Sequence, residues 1–413
     1  MLRRLSWSEL AAWIEPGFWA APFLVAGDTS LATFGIPVRV PFSAAACLLA
    51  ICAVGWWRTR AGRGRALHRG AGVLIVVLVL GVALLASLAY TTEIAVGADK
   101  AFRYWFFGVI GTALGVALMQ SRETRRRLVL GFAVVGVVLA LLGLGRLAVE
   151  GIDRQLAVLG GGPNVYVRVL FLGLLSSIVL AALAGGRGVT VLWGAAALLH
   201  LPPILFTGSR SGLIASLAAL VLVALLALRR GRRNGVLAGL AVACLVAIAV
   251  FGLWLPSQFP ELFGAASRYR DLVGELPGGM SVAARLAAAR QGIEAFLARP
   301  WIGWGAGGFA AHSPLVYPHN LVLELLAELG VIGGLLLIAG AVMVLRALAR
   351  AARCCAGPRA LYTAWGAGLT AFAFVAAQFS GDLGDSRYLL FAAGATVGIA
   401  ASSATAARAG GGG

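Results

Sequence analysis

Charged residues are scarce in this sequence. They make up 12% of its 413 positions, about half of the quarter usual for a soluble domain, and that shortage excludes a soluble globular enzyme. Lysine is reduced to a single residue, Lys100, and the cationic excess that gives a formal charge of +18 is almost entirely arginine. Those arginines come in short runs between long apolar stretches, not in one basic patch, so the charge reads as membrane topology and not as nucleic-acid binding. Cysteine offers no framework. Cys47, Cys52 and Cys244 lie in apolar runs and Cys354 and Cys355 are adjacent in a basic loop, a spacing that fits neither structural disulfides nor zinc. HExxH, P-loop and GxSxG sequences are absent. The N-terminus has no apolar core with a cleavage site before Glu15 and reads as a retained start.

What is there is hydrophobic: 60% of the chain. Apolar stretches of roughly 20 residues, the length that crosses a hydrocarbon core, fall near 10–26, 41–57, 71–90, 104–119, 128–149, 166–185, 189–206, 211–228, 235–256, 320–345, 360–378 and 387–404. The expectation is an all-α polytopic membrane protein of about twelve spans, a single integral membrane domain over 1–413 with a flexible glycine tail at 410–413. Arg58 to Arg69, Arg122 to Arg127, Arg187, Arg229 to Arg233 and Arg346 to Arg359 all fall on alternate connections. Since short cytoplasmic loops are enriched in arginine, these connections and both termini are expected in the cytoplasm.

The opposite side carries one long loop, 257–318, and loops of that length are usually functional. Within it Ser281 to Arg299 reads as a helix whose apolar face holds Val282, Leu286, Ala289, Ile293 and Phe296. Helical phase puts Arg285 at the edge of that face and Arg290 with Glu294 on the solvated side. An inward arginine must meet an anion or a carboxylate to offset its desolvation.

Three polar sites lie on this outer side. Arg210 sits in a tight turn, Gly208-Ser209-Arg210-Ser211-Gly212, where helix-start amides and hydroxyls suit a phosphate; the plain alternative is a snorkelling interfacial arginine. His319 and Asn320 follow Pro318 at a helix start, whose positive dipole end favours a neutral imidazole able to accept a proton; the alternative is a satisfied interfacial histidine. Glu324 and Glu328 enter an apolar helix, which implies a partner or a wet cavity, and Glu328 reads as an anchor to neighbouring helices. The run from Gly303 to Gly308 contains GxGxxG, but no βαβ unit surrounds it, so it is read as structural: Gly303 and Gly305 let backbone pass close to something or make a turn. Asp382 and Asp385 form an outward carboxylate pair that reads as a polar turn in preference to a metal site.

Several of these patterns together resemble the O-antigen ligase and O-antigen polymerase superfamily of bacterial inner-membrane glycosyltransferases. Thr207 to Gly212 resembles the family's Ser-Arg turn. Arg285, with Pro300 fifteen positions on and Gly303, Gly305, Gly307 and Phe309 after it, is similar to a second motif, although Ala289 stands where a tryptophan is common and Gly308 is extra. His319, Asn320, Leu323, Glu328 and Gly330 meet His-Asn-x-x-Leu-x-x-x-x-Glu-x-Gly in full, and Gly162-Pro163-Asn164 is a weaker likeness.

The resemblance implies a GT-C-like fold and transfer of a glycan from an undecaprenyl diphosphate donor on the periplasmic face, with inversion and with neither nucleotide, cofactor nor metal. Arg210 and Arg285 would clamp the diphosphate, because guanidinium engages phosphate oxygens bidentately and keeps its charge. His319 would be the general base, with Asn320, Ser209, Ser211, Arg168 and Tyr317 contacting substrate. A single dominant outer loop favours a ligase acting on lipid A–core over a polymerase that extends a lipid-linked glycan, and a short C-terminal region after the last span sets the chain apart from relatives that transfer glycan to protein. A secondary transporter for an anionic substrate is the rival from another class, but it predicts related halves and charges near the midplane. Neither is evident in the sequence.

Overall fold

The computed structural model describes residues 16–26, 70–152, 155–158, 162–228, 235–259, 280–354 and 357–410. The expected span at 41–57, the basic loops at 58–69 and 229–233, the first part of the long loop at 260–279, and residues 1–15 and 411–413 lie outside them. Among the described residues every regular element is a helix: α1 (Pro16–Ala26), α2 (Ala71–Ser87), α3 (Ile94–Leu118), α4 (Arg122–Glu150), α5 (Gly162–Leu183), α6 (Arg187–Phe206), α7 (Arg210–Leu228), α8 (Gly235–Trp254), α9 (Met280–Ala298), α10 (Leu321–Cys354), α11 (Pro358–Ala377) and α12 (Arg387–Gly410). Eight of these, α3 to α8, α10 and α11, are long and apolar enough to cross a membrane, and α2 is a shorter apolar helix of 17 residues. Apolar runs of about 20 residues cross lipid as helices, which satisfy each backbone N–H and C=O within the segment.

Most of these helices are apolar on all sides, and large side chains point outward. Val82, Leu85, Val191, Leu192, Leu335, Ile338 and Leu345 are all exposed, the surface a bilayer covers and water would not. The centre is α5, buried along nearly its whole length and packed against α4, α6, α8 and α11. Small residues set the closest contacts. Where α3 crosses α12, a Cβ on Gly115 would lie 2.5 Å from the Phe391 carbonyl oxygen, so the two backbones touch as membrane helices with small interfacial residues do.

Several helices depart from regular geometry, among them α8, with a π-turn at Ile248–Trp254. α3 carries a π-turn at Tyr104–Val109. α10 is broken at Gly330 (φ 62°, ψ −149°), which detaches its first nine residues, Leu321 to Leu329, from the long span that follows. The starts of α3, α5, α7, α10 and α12 and the ends of α1, α2, α4, α6, α8 and α11 are the expected outer ends, and side-chain contacts join several of them.

Candidate functional site

His319 is set by its backbone. It is the one non-glycine residue with positive φ (55°) among those described, a conformation that non-glycine side chains adopt uncommonly and that marks a position over-determined by its surroundings. Asn320, next in sequence, is the N-cap of α10. Its Oδ1 accepts the Leu323 N–H at 3.0 Å, while its Nδ2 donates to the Gln378 carbonyl at 3.3 Å. Asn320 therefore fixes the helix start and ties it to the end of α11. The Tyr317 ring meets His319 edge-on at 4.5 Å, and His319 Nδ1 is buried without a hydrogen-bond partner. Burial and the positive charge of Arg285 hold the imidazole below its ordinary value of 6.5. The shift favours the neutral ring, the same direction as the helix-start argument, although desolvation is the larger cause.

Arg285, on α9, acts on His319 through its charge. The expected helix is present, but its packed face differs from the expected one: Ala288, Gly292 and Ala295 are turned inward, and Leu286 and Ile293 are 60% and 48% exposed. Close approach selects the small residues. A Cβ on Gly292 would lie 3.4 Å from Leu323 and 3.6 Å from Pro318, so α9 runs directly over the residues flanking His319. Arg285 is in phase with this Ala/Gly face, at spacings of three, four and three, and is half-buried. It points inward as expected, on a different face. Arg290 and Glu294 form the expected exposed i,i+4 pair at 2.8 Å.

The glycine-rich run is structural. Gly303, Gly305 and Gly307 all have positive φ, and the loop inserts beside the break in α10. The Trp304 and Gly305 N–H groups donate to the Ala327 and Glu328 carbonyls at 3.0 and 2.9 Å, and the Val331 N–H donates to Pro300 at 2.7 Å. Carbonyls orphaned by the break at Gly330 thus find partners. On its other side the loop meets α2, where Ser87 Oγ accepts from the Ala306 N–H at 2.9 Å.

Beneath the loop lies a feature that the sequence reading missed. Lys100 of α3, fully buried, donates to Glu324 at 2.5 Å and to Glu328 at 2.6 Å, so Glu328 is the expected anchor and its partner is the chain's lone lysine. A lysine inside an apolar segment is the signal that identifies it. A second missed cation, Arg103, binds both oxygens of Asp382, at 2.7 and 3.2 Å, and Asp385 at 3.1 Å. The aspartates form a polar turn, as expected, and no group of three or more potential metal-binding side chains occurs among the described residues. Burial, then the charge of Asp382, raises the Asp385 carboxyl above its usual value. Arg168 of α5 is buried and donates to the Ser380 carbonyl at 2.8 Å and to the Asp385 carbonyl at 3.4 Å; it braces this same turn.

Arg210 opens α7, half-buried, after Gly208 at positive φ. Ser209 caps the helix, its Oγ accepting the Gly212 N–H at 3.1 Å. The Ser209 and Ser211 hydroxyls are also engaged by Asn164 at the start of α5, at 2.6 and 3.3 Å. Contacts therefore run from the Arg210 turn through Asn164 and Arg168 to the 378–386 turn, and from there through Asn320 to His319. The charge of Arg285 acts on His319 at the end of this path.

A family model described as O-antigen ligase matches residues 195–338. The match takes in the end of α6, α7, α8, α9 and the first part of α10, with Arg210, Arg285, His319 and the glycine-rich loop. Lys100, Arg103, Asn164, Arg168 and the 378–386 turn lie outside it. No curated protein matches the chain.

Proposed function

We propose, on the match of residues 195–338 to a family model described as O-antigen ligase, that the chain is a GT-C-type membrane glycosyltransferase of the bacterial inner membrane. In this reading it moves O-antigen glycan from undecaprenyl diphosphate to lipid A–core at the periplasmic face, with both termini in the cytoplasm. The observation that carries the proposal is a neutral histidine, in a constrained backbone conformation, within the electrostatic reach of an inward arginine.

The acceptor hydroxyl oxygen attacks the anomeric carbon of the donor sugar and passes its proton to His319. The bond from that carbon to the diphosphate oxygen breaks, and the diphosphate departs with the electron pair. One displacement inverts the anomeric centre. Arg285 and Arg210 hold the phosphate oxygens and stabilise the charge that grows on them. Tyr317 fixes the imidazole edge-on, while Asn320, Ser209, Ser211 and Arg168 set the helix starts from which the reacting groups project. The diphosphate itself is the leaving group, so the transfer needs no nucleotide.

Purified protein given a polyprenyl diphosphate glycan with lipid A–core, or with a second lipid-linked glycan, tests the proposal. Ligated product supports it, a ladder of lengths identifies a polymerase, and no transfer to either acceptor rejects it. His319→Ala is expected to lower transfer by about 10²–10⁴-fold with unfolding temperature unchanged, and a folded variant with wild-type transfer removes the general-base role. Activity lost on chelation overturns the metal-independent reading.

A further inference from the structure

Asn164 stands at the head of α5 and reaches across to the turn that holds Arg210. Its Oδ1 accepts from Ser209 Oγ at 2.6 Å and from Ser211 Oγ at 3.3 Å, so the two residues flanking Arg210 are held by one carbonyl. Ser209 Oγ also accepts the Gly212 N–H at 3.1 Å and lies 3.3 Å from Ser211 Oγ. In the structure the Asn164 amide has its carbonyl toward the serines, which puts its NH2 on the other side of the group.

The support behind Asn164 is rigid. One helical turn on, Arg168 is buried and bonded to the Ser380 and Asp385 carbonyls. The same 378–386 segment receives Asn320, the neighbour of the proposed base. Asn164 thus has its carbonyl committed to shaping the Arg210 turn, while its NH2 carries two N–H donors that the serines do not engage.

We propose that Asn164 contributes a second, uncharged donor to the phosphate oxygens that Arg210 binds, and so is a donor-binding residue as well as the brace of the arginine turn. This rests on the diphosphate reading given above. A neutral amide suits the position: it satisfies an oxygen lone pair that one guanidinium fork does not reach, and its carbonyl keeps the serines in place. Aspartate has nearly the same shape and keeps an acceptor for both serine hydroxyls, but it replaces the N–H donors with a negative charge facing the anion.

That difference is the test. Full-length protein in lipid nanodiscs is assayed for transfer against donor concentration, with unglycosylated polyprenyl diphosphate as a competing probe, for Asn164→Asp, Asn164→Ala and the double variant Ser209→Ala/Ser211→Ala. A hydrogen bond to a charged group corresponds to about 10- to 100-fold in affinity. Asn164→Asp is therefore expected to raise the donor KM and the probe's inhibition constant by about 10-fold or more, with the unfolding temperature kept. Asn164→Ala is expected to raise both by more than the double serine variant, even though that variant removes the Ser209 helix cap along with the brace. Wild-type donor KM in folded Asn164→Asp overturns the proposal. Should that variant not fold, an Asn164→Ala effect no larger than that of the double serine variant overturns it equally. His319→Ala and Arg210→Ala run alongside: if both retain wild-type transfer, the diphosphate reading fails and this inference with it, whereas their loss with Asn164→Asp unaffected rejects the inference alone.

Discussion

Two influences of the same sign act on the imidazole of His319. Withdrawal from water penalises the charged ring, and the guanidinium of Arg285 repels it; both make the proton leave at lower pH than the ordinary 6.5. A base of that kind is already unprotonated at neutral pH and loses activity only when acid protonates it. The predicted kcat/KM profile is flat downward through pH 6.5 and falls below it. Arg285→Gln removes the repulsion, so its acid limb moves up toward 6.5 as its rate falls. A wild-type limb centred at or above 6.5 contradicts this environment for the base. Tyr317 adds no limb near neutrality, because burial and nearby carboxylates push its hydroxyl up. The segments that hold His319, Asn320 and Arg285 stood out in the sequence because each is a local pattern. Asn164 and Lys100 were not placed at the site, because their partners are 45 residues away in one case and 224 and 228 in the other.

At the scale of elements, helical phase located α9 and the direction of Arg285, but large apolar residues misidentified the packed face. In water the face with Leu286 and Ile293 would be buried. Beside a bilayer those side chains can remain outside while Ala288, Gly292 and Ala295 let two helices approach. The break in α10 had a similar blind spot, since Gly330 sits inside an unbroken apolar stretch. The structure gives it φ 62° and a site where an added Cβ would lie 2.5 Å from the Pro300 carbonyl oxygen. Gly330→Ala is expected to destabilise the protein by about 2 kcal/mol or more, from strained backbone and lost docking of the glycine loop. Gly340, later in the same helix, has its nearest neighbour, Val76, at 3.8 Å. Gly340→Ala is expected to be neutral or stabilising by up to about 1 kcal/mol through helix propensity. Thermal unfolding of both variants in one detergent checks the contrast, and equal destabilisation rejects the role of the break.

Across the whole molecule, the arginine distribution predicts which ends of the helices face the cytoplasm. In a cysteine-free background, Ala311→Cys should react with a membrane-impermeant thiol reagent in intact spheroplasts and Arg350→Cys only after permeabilisation; the reverse pattern inverts the topology. Contacts between distant segments were not legible in this way, and the Lys100 cluster shows why. One ammonium and two carboxylates join α3 to both turns of the detached start of α10, while the Glu328 carbonyl also receives the Gly305 N–H of the glycine loop. Three pieces that form the floor under His319 therefore depend on one buried group of charges. Removing the cation alone leaves two carboxylates enclosed without it, and breaking a buried pair in this way costs roughly 3–5 kcal/mol. Lys100→Met should lower stability by that order and reduce transfer through a displaced His319. The triple variant Lys100→Met/Glu324→Gln/Glu328→Gln removes all three charges, and most of the lost stability should return, because an uncharged cluster of similar volume has no uncompensated ion to enclose. Unfolding temperatures of the single and triple variants decide the matter: a triple variant no more stable than Lys100→Met would show that the ion pairs hold these elements together by geometry that glutamine and methionine cannot replace.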